Sequence, residues 1–520
     1  MSLLLLLGLA ASTLSLGNAA TDYSSTCKTI SQSISSASGV YYAGNPLYTK
    51  GNSHWASSSS QNSACVVEPA NAQDVSTILG IASNTSTPIG IRGDRDVQVQ
   101  RSDVPPAPLA ADGSVGTVDV GSGLIWDNVY AALQPYNVTV VGGRVTGVGV
   151  AGFALGGGYS WLSNQYGLTI DTVVAYELVL PNGTVTTASE AANSDLFWAL
   201  KGGFNNFGIV TKFTMQAFPQ GQVWGGLKTY TQDQLGKVNN ATVNFINNVK
   251  DPKAGIITTY NFVIGQPGVS LLMFYDGPTP PAGIFDEFQS ITSFSSDVST
   301  RSLSSLVQAS PANATAGNRG AFNTVSLKTY SPTLLAQVVN QTTIWGQKLL
   351  ANAANFVSYD VEPFLPSMTS RSKGGAYPHE DYLIPLNLYY AWQGSANDAA
   401  CIDALAASAQ LIYNQAVAEG QDIAGSKQIK YGNYAPAAAT QDLELLAKRR
   451  TSSLTTSSLS FPLLPRARIA GSKQIKSATT PLQLRLKTWN QSTEPTSLAQ
   501  RIKAKYDPTN IMGLAGGFKF

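Results

Sequence analysis

"VVGGRVTGVGVAGFALGGGYSWLSNQYGL", residues 140–168, decides the reading of this chain. Eight of the seventeen positions from Gly142 to Gly158 are glycine. Glycine admits positive φ and leaves the main chain bare, so neighbouring N–H groups can approach one ligand closely. Clustered N–H groups form anion nests, and a pyrophosphate is the kind of anion they suit. The string GVGVAG, residues 147–152, also satisfies the G-x-G-x-x-G pattern of dinucleotide-binding βαβ units.

In such a unit the glycines follow a strand and open a long helix. YNVTVVGG (136–143) can supply the strand, and Asp171 stands at a plausible spacing for a ribose-binding acid. The helix is the difficulty. Three residues after Gly152 the chain writes Gly156-Gly157-Gly158, and each glycine costs about 1 kcal/mol in a helix relative to alanine. The spacing therefore predicts a cradle of another nucleotide fold, with no helix rising from Gly152. A nicotinamide dehydrogenase rests on GVGVAG alone.

Working outward, residues 66–217 mix strands and helices. CVVEPANAQDVSTILGIASNTSTPIGIRG (65–93) reads strand, helix, strand, with Asp74 and Ser76 as caps and Val75, Ile78, Leu79 and Ala82 as the apolar face. GTVDVGSGLIWDNVYAAL (116–133) reads strand, turn, amphipathic helix. VVAYELVLPNGTVTTAS (173–189) is two strands around Pro-Asn-Gly, a hairpin signal. DLFWALKGGFNNFGIVTKFTMQAFP (195–219) reads helix, glycine turn, strand. Residues 220–430 alternate strands such as GVSLLMFYDG (268–277) and LIPLNLYYAWQG (383–394) with helices such as TLLAQVVNQTTIWGQKLLANA (333–353). The fold class is α+β, the second unit being an antiparallel sheet covered by helices.

The glycine stretch, DLFWALKGGFNNFGIVTKF (195–213) and the tail KYDPTNI…GGFKF (505–520) together resemble the berberine-bridge-enzyme-like branch of the PCMH-type FAD flavoproteins, the vanillyl-alcohol oxidase superfamily. The likeness is close over residues 40–220 and patchy beyond. It implies an FAD-binding domain at 21–220 and a central substrate domain at 221–430. Residues 431–520 would return to the FAD domain, around an irregular insert at about 437–485. It implies Arg92 and Gly93 at the start of the first phosphate loop, and a main cradle of Gly143, Thr146, Gly147, Gly149, Gly152, Gly156, Gly157 and Gly158. It places Gly208, Ile209 and Val210 near the adenine. YGNY (431–434) would bring Asn433 and Tyr434 beside the flavin. The implied reaction takes hydride from a small alcohol, sugar or secondary-metabolite substrate to flavin N5, with oxygen or another acceptor reoxidising the flavin. Candidate proton acceptors are Tyr434, then Tyr431, then Tyr390 on a substrate-domain strand.

The chain departs from the family pattern at the flavin attachment points. Asp96 stands where the resemblance puts a flavin-linked histidine, and Val145 where some members carry a linking cysteine. FAD should therefore be noncovalent. Asp94 and Asp96 also place charge where glycines would admit phosphate, so a flavin-free binding relative stays open as the alternative. The octapeptide IAGSKQIK occurs at 423–430 and again at 469–476, flanking a basic Ser/Leu/Pro-rich stretch. Two short copies make no structural repeat. A mis-joined coding sequence would account for both oddities.

Composition sets the remaining bounds. With 520 residues, 43% hydrophobic and 12% charged, the chain is globular and multi-domain. A net charge of +2 without a basic stripe predicts no nucleic-acid partner. The apolar run in MSLLLLLGLAASTLSLGNAA (1–20), followed by small residues, reads as a signal peptide, and no later run is long enough to span a bilayer. Sequons at Asn84, Asn137, Asn182, Asn240, Asn313, Asn340 and Asn490 agree with a secreted glycoprotein, taken as a monomer. Of three cysteines, Cys27 and Cys65 flank a Ser-rich loop and should pair, leaving Cys401 as a buried free thiol. Three cysteines and two histidines give no zinc site, and His54 and His379 read as structural.

Overall fold

A computed structural model of the protein describes residues 22–93, 112–263, 265–435 and 497–515. The signal segment, Asp96, the 437–485 insert with the second octapeptide copy, Asn490 and the terminal GGFKF lie outside the described residues. The first part of the chain begins with a two-stranded ribbon of β1 (Gly39–Tyr41) and β2 (Val66–Glu68). A five-stranded sheet follows, built from β3 (Gly116–Gly121), β4 (Val138–Thr139), β5 (Val173–Val179), β6 (Val185–Ser189) and β7 (Ile209–Pro219). Its order is β3-β7-β5-β6, with β4 also paired to β7. The β5–β6 hairpin turns at Pro-Asn-Gly as expected, with Gly183 at φ +84°.

The second sheet has seven strands: β8 (Val223–Tyr230), β9 (Ala254–Val263), β10 (Gln266–Tyr275), β11 (Ser295–Arg301), β12 (Arg319–Leu327), β13 (Ala354–Val361) and β14 (Ile384–Trp392). The order is β11-β8-β10-β9-β13-β14-β12, and every pairing is antiparallel. Helices Leu235–Asn248, Pro332–Leu349 and Asp398–Ala418 pack on one face. Alternate side chains such as Leu271, Tyr359, Leu386 and Tyr390 join them in one core. The opposite face looks toward the first sheet. There Phe274 stacks on Trp161 at 5.3 Å, and Ile257, Leu272 and Phe274 belong to the core of the N-terminal unit. Burying one such side chain contributes roughly 1.5–3 kcal/mol, so the shared core fixes the two units against each other.

Local details correct three expectations. Helix Ala72–Asn84 is capped by Asn71, whose side chain accepts from the Asp74 N–H at 2.9 Å. Asp74 instead accepts from the hydroxyls of Ser35 and Ser38, tying down the N-terminal helix. The strand expected at Thr87–Ile91 shrinks to a single parallel bridge, Ile89 with Ala515. And the cradle does contain a helix, Val150–Leu155, which passes through Gly152. Burial of Val150, Ala154 and Leu155 outweighs the one glycine inside it. It is six residues long and stops at Gly156, because Gly157 (φ +129°) and Gly158 (φ +86°) turn the chain out of helical space. It rises from no parallel sheet, so the dinucleotide βαβ geometry is absent.

The chain returns at its end to the first unit. Helix Leu498–Tyr506 starts on a Ser497/Gln500 capping box, and Lys503 Nζ donates to the Asn206 carbonyl at 3.2 Å. Lys505 pairs with Asp195 at 2.6 Å. Cys27 and Cys65 form a disulfide, and Cys401 is buried, which pushes its thiol up to about 11. Among the described residues no helix is long and apolar enough to cross a membrane.

Candidate functional site

An open cleft of about 3310 Å³ runs between the glycine stretch and the bare face of the seven-stranded sheet. That is several times the roughly 300–1,000 Å³ of a drug-sized pocket, so it can take an extended ligand together with a second molecule. One wall is main chain. Thr146, Gly147, Gly149 and Gly152 line it, and Gly93 runs beside Gly149. A Cβ on Gly152 or Gly147 would meet nothing within 4 Å, whereas one on Gly93 would meet the Ser122 carbonyl at 2.7 Å. The nest is partly filled by the protein itself. Asp127 accepts from Thr146 Oγ1 at 2.7 Å and from the Gly147 N–H at 2.9 Å, which takes that N–H away from any ligand.

The other glycines serve packing. Gly143 lies against Trp126, and its carbonyl accepts from Tyr130 at 2.9 Å. A Cβ on Gly156 would overlap the Asn433 amide at 2.3 Å, and one on Gly158 would overlap Thr169 at 2.4 Å. Gly157 gives room to Tyr377 and Tyr431. Gly208 (φ +152°) passes the Val179 carbonyl. None of these five lines the cleft, though Ile209 and Val210 do. Arg92 also lines it, with its guanidinium donating to the carbonyls of Lys50, Gly51 and Ser53.

At the cleft floor lies a buried charged cluster that the sequence reading did not assemble. Arg144 donates to Glu362 Oε2 at 2.6 Å and to the Tyr434 hydroxyl at 3.1 Å, and Tyr434 donates to Glu362 Oε1 at 3.1 Å. The guanidinium also sits over the Phe364 ring at 5.2 Å. Two residues before Glu362 on β13, Asp360 faces the same cleft and accepts from Asn387 Nδ2 at 2.8 Å. Burial raises Asp360 above the ordinary carboxylate value, against its hydrogen bonds to Thr259 and Asn387 and the Arg144 charge. Burial likewise raises Glu362, with Arg144 pulling it back. Tyr434 is pushed well above its ordinary value by burial and by the Glu362 charge.

The expected tyrosines fare differently. Tyr434 reaches the cleft. Tyr431 borders it, but its hydroxyl already accepts from the Gly158 N–H at 3.1 Å and Asn433 Nδ2 at 2.6 Å. Burial pushes its phenol up to about 12. Asn433 also donates to the Phe153 carbonyl at 3.2 Å, which seats the YGNY segment on the cradle helix. Tyr390 is a correction. It points to the helix side, bonded to Tyr359 at 2.5 Å, because it is one residue out of phase with the cleft-facing Tyr389. Val145 lines the cleft, and His54 lies at its rim.

Known proteins resemble parts of this chain. The family described as FAD binding domain (FAD_binding_4) matches residues 109–189. The chain is 40% identical over 273 residues to the FAD-dependent monooxygenase drtC of Aspergillus calidoustus, covering 49% of this chain and 52% of that one. It thus spans about half the length of that curated relative. It is 31% identical over 359 residues to an uncharacterized FAD-linked oxidoreductase of Arthroderma benhamiae, covering 64% and 71%. Among solved structures it superposes on glucooligosaccharide oxidase from Acremonium strictum, a protein with 6-S-cysteinyl, 8α-N1-histidyl FAD, at a TM-score of 0.63 and 15% identity over 94% of this chain and 98% of the other. At that identity the likeness is one of fold.

His379, as expected, is structural, and it makes a testable statement about pH. Its Nε2 is 2.8 Å from Asp171 Oδ1, and both groups are buried. Burial opposes the imidazolium, but the Asp171 carboxylate more than offsets it, so His379 is held above its ordinary value of 6.5. The folded state binds this proton more tightly than the unfolded chain. The stabilisation is present below about pH 6.5 and is lost as pH rises through the higher folded value. The stability gap between the protein and His379→Asn should therefore be largest near pH 6, on the order of 1 kcal/mol, and shrink toward pH 9. Urea unfolding at several pH values measures it, and a gap that is flat or widens with pH would contradict the pairing.

Proposed function

The chain belongs to the FAD-linked oxidoreductases of the vanillyl-alcohol oxidase superfamily, and from that premise we propose that it is an FAD-dependent enzyme moving hydride from a small-molecule substrate to the flavin. The observation that carries the reading is the juxtaposition in one cleft. Bare main chain at Thr146–Gly152 forms one wall, and Asp360, Glu362 and Tyr434 face it. The residues fit the cofactor: the cleft is large enough for a dinucleotide, and Gly152 presents an open backbone surface where a side chain would intrude. Thr146, Gly149, Gly152, Ile209, Val210 and Asn433 would hold it. Val145 offers no nucleophile for attachment, so the association is noncovalent.

Bound FAD supplies the hydride acceptor and is reoxidised by oxygen or another electron acceptor. The chain supplies the proton chemistry. Asp360, raised by burial above the ordinary carboxylate value and still partly exposed to the cleft, takes the proton from the substrate O–H or N–H adjoining the oxidised carbon. Arg144 keeps Glu362 paired, and both orient the Tyr434 hydroxyl. The phenol's raised value keeps it protonated near neutral pH, so it offers no free base there. The substrate is an alcohol, a sugar or a secondary metabolite. Purified protein should show a flavin absorption band that is released into the supernatant on acid precipitation. Asp360→Asn should keep that band and lose about 10²–10⁴ in turnover, with Tyr434→Phe losing far less. A colourless protein would end the flavoenzyme reading, and the reverse order of losses would hand the base to Tyr434.

The same reading includes secretion as a glycosylated, monomeric protein. It is supported by the exposure of every described sequon asparagine: Asn84, Asn137, Asn182, Asn240, Asn313 and Asn340. Peptide N-glycosidase should lower the mass of the protein recovered from a eukaryotic culture medium. An unchanged mass, or retention inside the cell, would contradict it.

A further inference from the structure

A cofactor held without a covalent link depends on a wall whose shape is set beforehand, because every group ordered on binding weakens affinity. The cradle wall is pinned on both sides of one turn. On one side Arg144 is paired with Glu362. On the other, the Val148 carbonyl accepts from the Trp126 N–H at 3.0 Å, and the Val150 N–H donates to the Leu124 carbonyl at 2.8 Å. Between them lies the turn Val145, Thr146 and Gly147, with Gly147 at φ +80°. All three residues line the cleft, and Gly147 is exposed. A Cβ on Gly147 would meet nothing within 4 Å, so packing does not hold the turn at that point.

Among the described residues, the hydrogen bonds that tie this turn to the rest of the fold run to one side chain. Asp127 Oδ1 accepts from Thr146 Oγ1 at 2.7 Å, and Asp127 Oδ2 accepts from the Gly147 N–H at 2.9 Å. Asp127 stands in the first turn of helix Trp126–Leu133, where a carboxylate is favoured by the helix dipole. Trp126, Val129, Tyr130 and Leu133 bury the other face of that helix, so the carboxylate rests on a rigid base. Asp127 itself does not line the cleft, and it grips the turn from behind.

We infer that Asp127 is a positioning residue of the cofactor site, which sets Thr146 and Gly147 in place before FAD arrives. This deepens the oxidoreductase reading and rests on it. Asp127 acts through its two acceptor atoms and not through its charge, since negative charge near a diphosphate is itself unfavourable. An amide can make the same two contacts. The asparagine oxygen accepts from the Gly147 N–H, and its NH2 donates to the Thr146 hydroxyl, which turns to accept. An alanine methyl makes neither contact.

Stepwise dilution of the holoprotein and of its Asp127→Ala and Asp127→Asn variants tests this, with retained FAD read by ultrafiltration and flavin fluorescence. The dissociation constant should rise at least about tenfold in Asp127→Ala. It should stay within about threefold of the unaltered value in Asp127→Asn. The FAD-free melting temperature of Asp127→Ala should match that of the unaltered FAD-free protein, which separates a role at the cradle from a general structural one. Equal or tighter binding by Asp127→Ala would overturn the inference. So would a loss in Asp127→Asn as large as in the alanine variant, or a loss that comes with a lowered FAD-free melting temperature. Should Asp127→Ala fail to fold, amide hydrogen exchange in the unaltered FAD-free protein decides. Protection of the Gly147 N–H supports the preset turn, and exchange at the free-peptide rate overturns it. A protein that takes up no FAD sinks the oxidoreductase reading along with this one, whereas FAD affinity indifferent to Asp127→Ala sinks this one alone.

Discussion

The site depends on one buried guanidinium. Arg144 begins the cradle segment, Glu362 directly follows β13, and Tyr434 belongs to the segment returning from the second unit. Its bonds to both partners join three stretches of chain separated by 218 and 290 residues. Taking such a charge out of water is strongly unfavourable unless it is paired with good geometry. Here the carboxylate, the phenol oxygen and the Phe364 ring compensate it. Separating Glu362 from Arg144 without exposing them would leave an unpaired buried charge. That is what holds a wall of main chain opposite a wall of acids.

The glycines divide their labour around that constraint. Gly156–Gly158 let Asn433, Tyr377, Tyr431 and Thr169 press against the backbone, which brings the YGNY segment to the cradle. Gly147 and Gly152 leave the opposite side open. One stretch therefore both assembles the cleft and presents its bare face. The short helix between the two groups turns the chain from one task to the other.

Much of this was legible in the sequence. The Pro-Asn-Gly hairpin, the antiparallel second sheet with its helical cover and the Cys27–Cys65 pairing follow from local patterns, and the C-terminal return was implied by the family resemblance. The site was legible in part. Tyr389 and Tyr390 are adjacent, and NLYYAW gives no sign of which one faces the cleft until a partner strand fixes the phase. The acids carried a readable signal: Ser358, Asp360 and Glu362 repeat at period two, a polar face inside an otherwise buried strand. Arg144 is the one charged residue among the eight glycines. The capping of Thr146 and Gly147 by Asp127 could not be read, since it depends on how a helix 20 residues away is placed.

The central claim is that Gly152 marks open backbone against which a dinucleotide lies. Gly152→Leu tests it most directly. A Cβ there meets no atom within 4 Å outside its own helix turn, and the change replaces a glycine inside a helix, so the fold should be unharmed or slightly stabilised. Flavin content per protein, measured by absorbance beside the melting temperature, should fall to near zero while the fold persists. A folded Gly152→Leu protein carrying a full complement of FAD would contradict the account.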